Sequence, residues 1–68
     1  MKNLQKIRKN KGLTQAQLSE LSGVSVRMIQ YYEQGYKDIN KAQAIVLYQL
    51  AQVLECTIEE LLEKVAEH

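Results

Sequence analysis

Proline is absent from this sequence of 68 residues, and glycine occurs only three times. Residues that favour strands seldom alternate with polar ones, so a β-barrel is excluded and several short helices are favoured. Apolar residues make up 46% of the chain, which supplies a core and argues against disorder. At this length we predict a single all-α domain spanning residues 1–68.

Cysteine, histidine and aspartate each occur only once. Cys56 has no partner for a disulfide within the chain, and the only histidine, His68, stands at the last position. These residues do not make a zinc site, so we assign no metal and no cofactor. Asp38 is the only aspartate and no base lies near a nucleophile, so we predict that the protein is not an enzyme. Cys56 fits a small buried side chain better than a reactive thiol.

Long apolar runs are also absent. No stretch approaches the roughly 18 residues that a membrane-spanning helix needs. Residues 1–12 are basic but lack the apolar segment of a signal peptide behind them. The sequence therefore predicts a cytoplasmic protein with no membrane partner.

The formal net charge of +1 conceals an uneven distribution along the chain. Residues 1–12 contain five basic side chains and no acid, whereas residues 55–68 contain five glutamates and one lysine. A basic segment can attract nucleic acid, but charge alone fits a solvated surface equally well. The basic side chains of the first segment are Lys2, Lys6, Arg8, Lys9 and Lys11.

Capping residues and glycines divide the chain into five predicted helices. Thr14 with Gln17, and Thr57 with Glu60, form capping boxes that start two of these helices. Ser25 is a further N-cap, and glycines end the first three helices because they readily adopt the left-handed conformation. The predicted helices are residues 2–11, 15–22, 26–34 and 41–54, with a fifth after Thr57, and residues 36–40 form a polar connection.

The second and third predicted helices are each too short to be stable alone. Only residues 23–25 join them, and so short a connection favours a sharp crossing. This is the arrangement of a helix-turn-helix, in which one helix supports a second that enters the major groove. The side chains expected to fill the wedge between the two helices are Leu18, Leu21, Val24 and Ile29.

Three tyrosines lie in or just after the third predicted helix. Tyr31 and Tyr32 are adjacent and cannot both face inward. Because Tyr32 follows Ile29 by three residues, we predict that Tyr32 is buried and Tyr31 exposed. Tyr36, in the connection that follows, could either contact a phosphate or anchor its loop.

Two segments carry a family resemblance. Residues 13–25 read LTQAQLSELSGVS, followed by Ile29 and by YEQG at residues 32–35, and residues 50–62 read LAQVLECTIEELL. Together they resemble the phage repressor and Cro family of helix-turn-helix proteins, which are transcriptional regulators of the xenobiotic-response-element type. The resemblance covers residues 4–62 and implies a five-helix domain like that of lambda repressor. The sequence departs from the family at Glu55, which replaces a usual glycine.

The resemblance implies roles for particular side chains. Gln15 matches a glutamine that contacts a phosphate and braces the recognition helix. Arg8 and Glu33 match an ion pair that fixes the geometry of the motif. The positions that match base-contacting ones are Val26, Arg27 and Tyr31, with Gln30 close by, and those predicted to contact phosphates are Gln15, Ser25, Tyr36, Lys37 and Lys41.

The side chains of the third helix also suit base recognition by their own chemistry. Arg27 can bond O6 and N7 of guanine together, a pairing that discriminates between bases by about 1–3 kcal/mol. Gln30 can pair with adenine in the same way, and Val26 offers methyl groups to thymine. An arginine on a surface helix is more often simply solvated, so this interpretation depends on its context.

We therefore expect a sequence-specific transcriptional regulator, a repressor, that binds double-stranded DNA as a homodimer on a pseudo-palindromic operator. Ile45, Val46 and Val53 exceed the apolar stripe that the fourth helix needs for its core, so they are the predicted dimer interface. The alternative is a protein-interaction module of the same fold, such as an antitoxin that binds a toxin. Without room for an effector domain, we expect regulation by concentration, dimerisation or a second protein.

Overall fold

The computed structural model describes residues 1–64, which form five α-helices and one short 3-10 helix without any strand. This confirms the predicted all-α class. In the same residues no helix is both long and apolar enough to cross a membrane. His68, to which we assign no ligand role, lies outside the described residues. The helices are α1 (Asn3–Asn10), α2 (Gln15–Ser22), α3 (Val26–Gln34), α4 (Ala44–Leu54) and α5 (Ile58–Leu61), and the 3-10 helix is Ile39–Lys41.

Three helices, α2, α3 and α5, begin where the capping residues of the sequence predict. Thr14 Oγ1 accepts a hydrogen bond from the Gln17 N–H at 3.0 Å, and Gln17 Oε1 accepts one from the Thr14 N–H at 2.8 Å. Thr57 and Glu60 make the same reciprocal pair at the start of α5. Ser25 accepts a single backbone bond, at 3.2 Å, at the start of α3. These bonds satisfy N–H groups that a helix start otherwise leaves open.

One hydrophobic core receives side chains from all five helices. Leu18, Ile29, Leu50 and Leu61, on α2 to α5 respectively, are fully buried, and Leu4 on α1 is 1% exposed. α2 packs against α3 and α4, while α1 packs against α3 and α5. The angle between α2 and α3 is therefore set by the core and not by their connection alone.

One residue of the predicted wedge is placed differently. Leu21 is 62% exposed, whereas Leu18, Val24 and Ile29 are buried. The buried side of α2 runs through Leu18 and Ser22, and at roughly 100° per residue Leu21 lies about 80° away from the middle of that side. The prediction for Leu21 was wrong because α2 packs on one side only.

The fourth helix begins later than predicted, at Ala44 rather than at residue 41. The 3-10 helix precedes it, and two of its features favour this turn. The Asp38 carboxylate accepts a hydrogen bond from the Asn40 N–H at 2.9 Å, and Ile39 is only 4% exposed. The connection that was predicted to be polar therefore contains one buried apolar side chain, Ile39. Burial of Ile39 favours the 3-10 turn at Ile39–Lys41, so α4 begins only after that turn.

α4 ends at a left-handed residue that is not glycine. Glu55 has φ 55° and ψ 45°, a conformation that side chains adopt at a cost. The Cys56 N–H nevertheless bonds the Ala51 carbonyl at 3.1 Å, which closes the helix as a glycine would allow. The departure from the family at Glu55 is thus accommodated without a change in the form of the turn.

The basic segment and residues 55–63 of the acidic segment are neighbours in space because α1 packs against α5. Lys11 forms an ion pair with Glu55, and the Glu63 carboxylate accepts a hydrogen bond from the Asn3 N–H. Acidic side chains thereby offset part of the positive charge of α1. The uneven charge along the chain is partly cancelled by the fold.

Candidate nucleic-acid interface

The turn between α2 and α3 is fixed by local hydrogen bonds and by one buried side chain. Gly23 has φ 80°, which glycine adopts without strain, and its N–H bonds the Ser19 carbonyl at 2.9 Å. Val24 is 6% exposed, and its N–H bonds Ser22 Oγ at 3.1 Å. Because Val24 cannot leave the core, α3 is held in one direction relative to α2.

α3 has one buried face and one open face. Val26 and Arg27 are exposed, and Gln30 and Tyr31 are half-buried. These four positions follow the i, i+3 and i+4 spacing of a single stripe. The structure thus brings the predicted base-contacting residues together, away from the core. The residues of the opposite face are Ile29, Tyr32 and Glu33, all buried.

The loop after α3 folds back onto Tyr31. The rings of Tyr31 and Tyr36 meet edge to face, with centroids 6.0 Å apart and planes at 81°. The Tyr31 carbonyl accepts a hydrogen bond from the Lys37 N–H at 3.2 Å. Tyr36 remains 76% exposed. Tyr31 is therefore half-buried rather than exposed as predicted, Tyr32 is buried as predicted, and Tyr36 contacts α3 while leaving much of its surface open.

A buried ion pair joins α1 to α3. Arg8 Nε and Nη2 donate to the two carboxylate oxygens of Glu33 at 2.8 and 3.0 Å, and Arg8 Nη1 donates to the Leu13 carbonyl at 2.8 Å. The Arg8 and Glu33 side chains are 9% and 2% exposed. The hydrogen bond to Glu33 raises the pKa of Arg8, against the opposing effect of burial. Such a two-pronged pair fixes both the distance and the orientation of the helices.

Gln15 extends this pair to α2. Its Nε2 donates to Glu33 Oε1 at 2.9 Å, so α1, α2 and α3 meet at one carboxylate. Gln15 is the first residue of α2 and is half-buried. The structure thus places it both against α3 and at the N-terminal end of its own helix.

Comparison with known families decides what this arrangement is. A family model described as helix-turn-helix matches residues 4–61. The chain belongs to this helix-turn-helix family. The protein is accordingly a DNA-binding transcriptional regulator of the xenobiotic-response-element type, related to Cro and the phage repressors, and the predicted family is confirmed. Neither the curated proteins nor the solved structures give a significant match to the chain.

Lysines of this helix-turn-helix regulator flank the end of α3. Lys37 and Lys41 are exposed in the loop and 3-10 helix that follow it. Lys2 lies across the end of α3, with its Cε 3.5 Å from where a Cβ on Gly35 would stand. A cation is favourable there because the carbonyl end of a helix is negative. Lys2, Lys37 and Lys64 share a cleft of about 300 Å³, so three distant segments bring positive charge to one place.

Two asparagines missed by the sequence analysis organise the same end of the regulator. Asn3 and Asn40 both bond the backbone of residues 62–63, across sequence separations of 59 and 23 residues. Asparagine amides in turns often bond backbone groups, which is the only signal that the sequence offers. The partners themselves depend on the packing of distant segments.

The predicted dimer residues do not share one environment. Ile45 is 56% exposed, whereas Val46 and Val53 are half-buried and pack against the core. Tyr48, which the prediction omitted, is 53% exposed and follows Ile45 by three residues. The most open apolar surface of α4 therefore consists of Ile45 and Tyr48.

Proposed function

We propose that this regulator is a repressor that recognises a specific sequence of double-stranded DNA by placing α3 in the major groove. The observation that carries the proposal is the open stripe of α3 formed by Val26, Arg27, Gln30 and Tyr31. The opposite face of the helix is buried. The core and the Arg8–Glu33 pair prevent α3 from rotating about its axis. The open side chains are thus presented in one orientation, as the recognition of base edges requires.

Three kinds of base contact are available on the open stripe. Arg27 pairs with O6 and N7 of guanine, Gln30 pairs with adenine, and Val26 packs against the methyl group of thymine. Tyr31 completes the stripe at the side where Tyr36 supports its ring. Discrimination between bases is carried chiefly by Arg27, because a two-pronged hydrogen bond loses both its partners at a wrong base pair.

Residues on both sides of α3 contact the DNA backbone in this proposal. Gln15 begins α2 and Ser25 caps α3, and neither helix has an acidic residue in its first turn to oppose a phosphate. Tyr36, Lys37 and Lys41 follow α3 and are exposed. Such contacts supply affinity and register without specifying sequence.

A homodimer is the proposed DNA-binding form. One helix-turn-helix covers a half-site, and two copies bind half-sites about 34 Å apart on the duplex. The exposed side chains of Ile45 and Tyr48 lie at the centre of the proposed interface, and Val46 and Val53 contribute their exposed parts. A two-fold interface of this kind makes a pseudo-palindromic operator the natural target.

The experiment that tests the proposal selects bound sequences from a random pool of duplexes at two salt concentrations. We expect an enriched inverted repeat whose binding weakens as the salt concentration rises. Enrichment of no sequence would contradict sequence-specific recognition, and would favour the alternative in which the protein binds a protein partner such as a toxin.

Two matched variants separate base contact from phosphate contact. Arg27→Ala is expected to lose the preference for one base pair in each half-site, by a factor of about 5 to 150. Lys37→Ala is expected to weaken binding to every sequence about equally and to make the salt slope shallower by about 1, while the preference stays unchanged. An Arg27→Ala variant with an unaltered preference would exclude Arg27 as a base contact.

A further inference from the structure

The side-chain amide of Asn40 makes two hydrogen bonds with the backbone of Glu63. Asn40 Nδ2 donates to the Glu63 carbonyl at 2.8 Å, and Asn40 Oδ1 accepts from the Glu63 N–H at 2.8 Å. Both polar groups of the amide are thus engaged at once with a single residue. Such a reciprocal pair fixes orientation as well as distance.

A second asparagine holds the same segment from the other side. Asn3 Nδ2 donates to the Leu62 carbonyl at 2.7 Å, and the Asn3 N–H donates to the Glu63 carboxylate. Leu62 is extended, with φ −74° and ψ 150°, so the chain has left α5 at this point. The segment of residues 62–63 is therefore held between the start of α1 and the 3-10 helix.

Asn40 lies within the basic loop, here defined as residues 36–41. The loop is attached to the body at its start by the Lys37 N–H and the Tyr31 carbonyl, and in its middle by the buried Ile39. Its end is attached by Asn40, next to Lys41. Without the Asn40 amide, the second half of the loop keeps only local bonds and the side chain of Ile39.

The bond between Asn40 and Glu63 also brings positive charge together. The cleft of about 300 Å³ is lined by Lys2, Lys37 and Lys64, which come from the start of the chain, the basic loop and the segment after α5. Its two carboxylates, Asp38 and Glu63, each accept a backbone N–H. Separation of the loop from residue 63 would move these lysines apart.

Resting on the proposed contact of Lys37 and Lys41 with DNA phosphates, we propose that Asn40 is a positioning residue for the DNA backbone. Its amide ties the basic loop to the backbone of Glu63 and holds both lysines where phosphates are bound. Residues 62–63, beyond the last helix, are thereby part of the DNA-binding machinery. Without this connection the two lysines are no longer held at a fixed position, so fewer phosphates are neutralised in the complex.

The test compares Asn40→Ala with Asn10→Ala, an exposed asparagine at the end of α1 that serves as the matched control. In the free protein, we expect faster hydrogen exchange at the amides of Lys41, Ala42 and Glu63 in Asn40→Ala only. On the selected operator, we expect binding about tenfold weaker. The slope of log binding constant against log salt concentration should become shallower by about 0.9 for each phosphate that the variant no longer neutralises. The sequence preference should be unchanged.

A second variant approaches the same bond from the other side. Glu63→Pro removes the N–H that donates to Asn40, and it also removes the carboxylate that accepts the Asn3 N–H. Its control is Glu63→Ala, which removes the carboxylate and keeps the N–H, and both variants leave the basic loop unaltered. We expect Glu63→Pro to reproduce the shallower salt slope. Asn40→Ala should weaken binding in the Glu63→Ala background but add little in the Glu63→Pro background, where the connection between the two residues is already broken.

Three results would overturn the inference. Folded Asn40→Ala with wild-type affinity and salt slope would show that the loop needs no such support. A changed sequence preference would place the effect in α3 instead of the loop. Equal losses from Asn40→Ala in the Glu63→Pro and Glu63→Ala backgrounds would separate Asn40 from Glu63. Failure of the wild type to bind any duplex would instead contradict the proposed function, and the exchange measurement would still show whether Asn40 orders the loop.

Discussion

Glu33 is the residue through which the first three helices are joined. Its carboxylate accepts two hydrogen bonds from Arg8 and one from Gln15, and its side chain is 2% exposed. A buried charge is tolerated only where its partner and hydrogen bonds are complete. The orientation of α3, and with it the presentation of Arg27, depends on this side chain together with the hydrophobic core.

We expect Glu33→Gln to lower the free energy of unfolding by about 3–5 kcal/mol, because it leaves the Arg8 charge buried without its counter-charge. The measurement is unfolding in urea, followed by circular dichroism. Glu20→Gln, an exposed glutamate on α2, is the control and should be nearly neutral. A loss below about 1 kcal/mol would mean that Arg8 in Glu33→Gln donates its hydrogen bonds to water or to another acceptor.

Among the helices, α5 depends most on N-terminal capping for its stability, because it is only four residues long. Its start is held by Thr57 and Glu60, whose side chains bond each other's backbone N–H groups. The hydrogen bond from the Thr57 N–H holds the pKa of the Glu60 carboxyl below its ordinary value. Lys11, through its hydrogen bond, does the same to the pKa of Glu55 just before this helix.

These lowered pKa values predict a loss of stability in acid. A carboxylate with a lowered pKa stabilises the fold above its ordinary pKa of 4.5, and this contribution disappears as the pH falls through the folded-state value. The melting temperature should therefore fall below about pH 4.5, and less steeply in Glu60→Gln, which no longer titrates at that position. Glu59→Gln, on the same helix but outside the capping box, is the control. Parallel profiles for the wild type and Glu60→Gln would contradict this prediction.

The accuracy of sequence reasoning also differs from helix to helix. The bounds of α2 and α3 follow from Thr14, Ser25 and two glycines, since caps act within a few residues of themselves. Leu21 was misjudged because burial depends on which neighbours a helix has, and α2 has them on one side. The late start of α4 depends on Ile39, whose burial requires the whole core.

For the whole molecule, the family resemblance predicted the fold and the residues that line α3, because the two matching segments include α2, α3 and the closing pair of helices. The pairs of Asn3 and Asn40 with the segment after α5 were not predicted. Their partners lie 59 and 23 residues away, and nothing local specifies them. Sequence patterns thus indicated the open stripe of α3 but not the contacts that hold the loop beside it.

Assembly of the whole molecule on DNA gives a further prediction. Ile45→Asp should abolish dimer formation and weaken operator binding by at least tenfold, because a charge would be buried in the proposed interface. Sedimentation at tens of micromolar measures the first effect, and titration of a full operator against a single half-site measures the second. Gln52→Asp, another exposed position of α4, is the control for added charge. A wild type that remains a monomer both alone and on the operator would refute the dimer.

The contact between α1 and α5 sets the order in which a newly synthesised chain can mature. Leu61 completes the core and Glu63 accepts the amides of Asn3 and Asn40, yet these residues are translated after the entire helix-turn-helix. Until these residues have been synthesised, one side of the core formed by α1 to α4 is exposed to solvent. The core of the helix-turn-helix domain is therefore complete only once Leu61 has emerged from the ribosome.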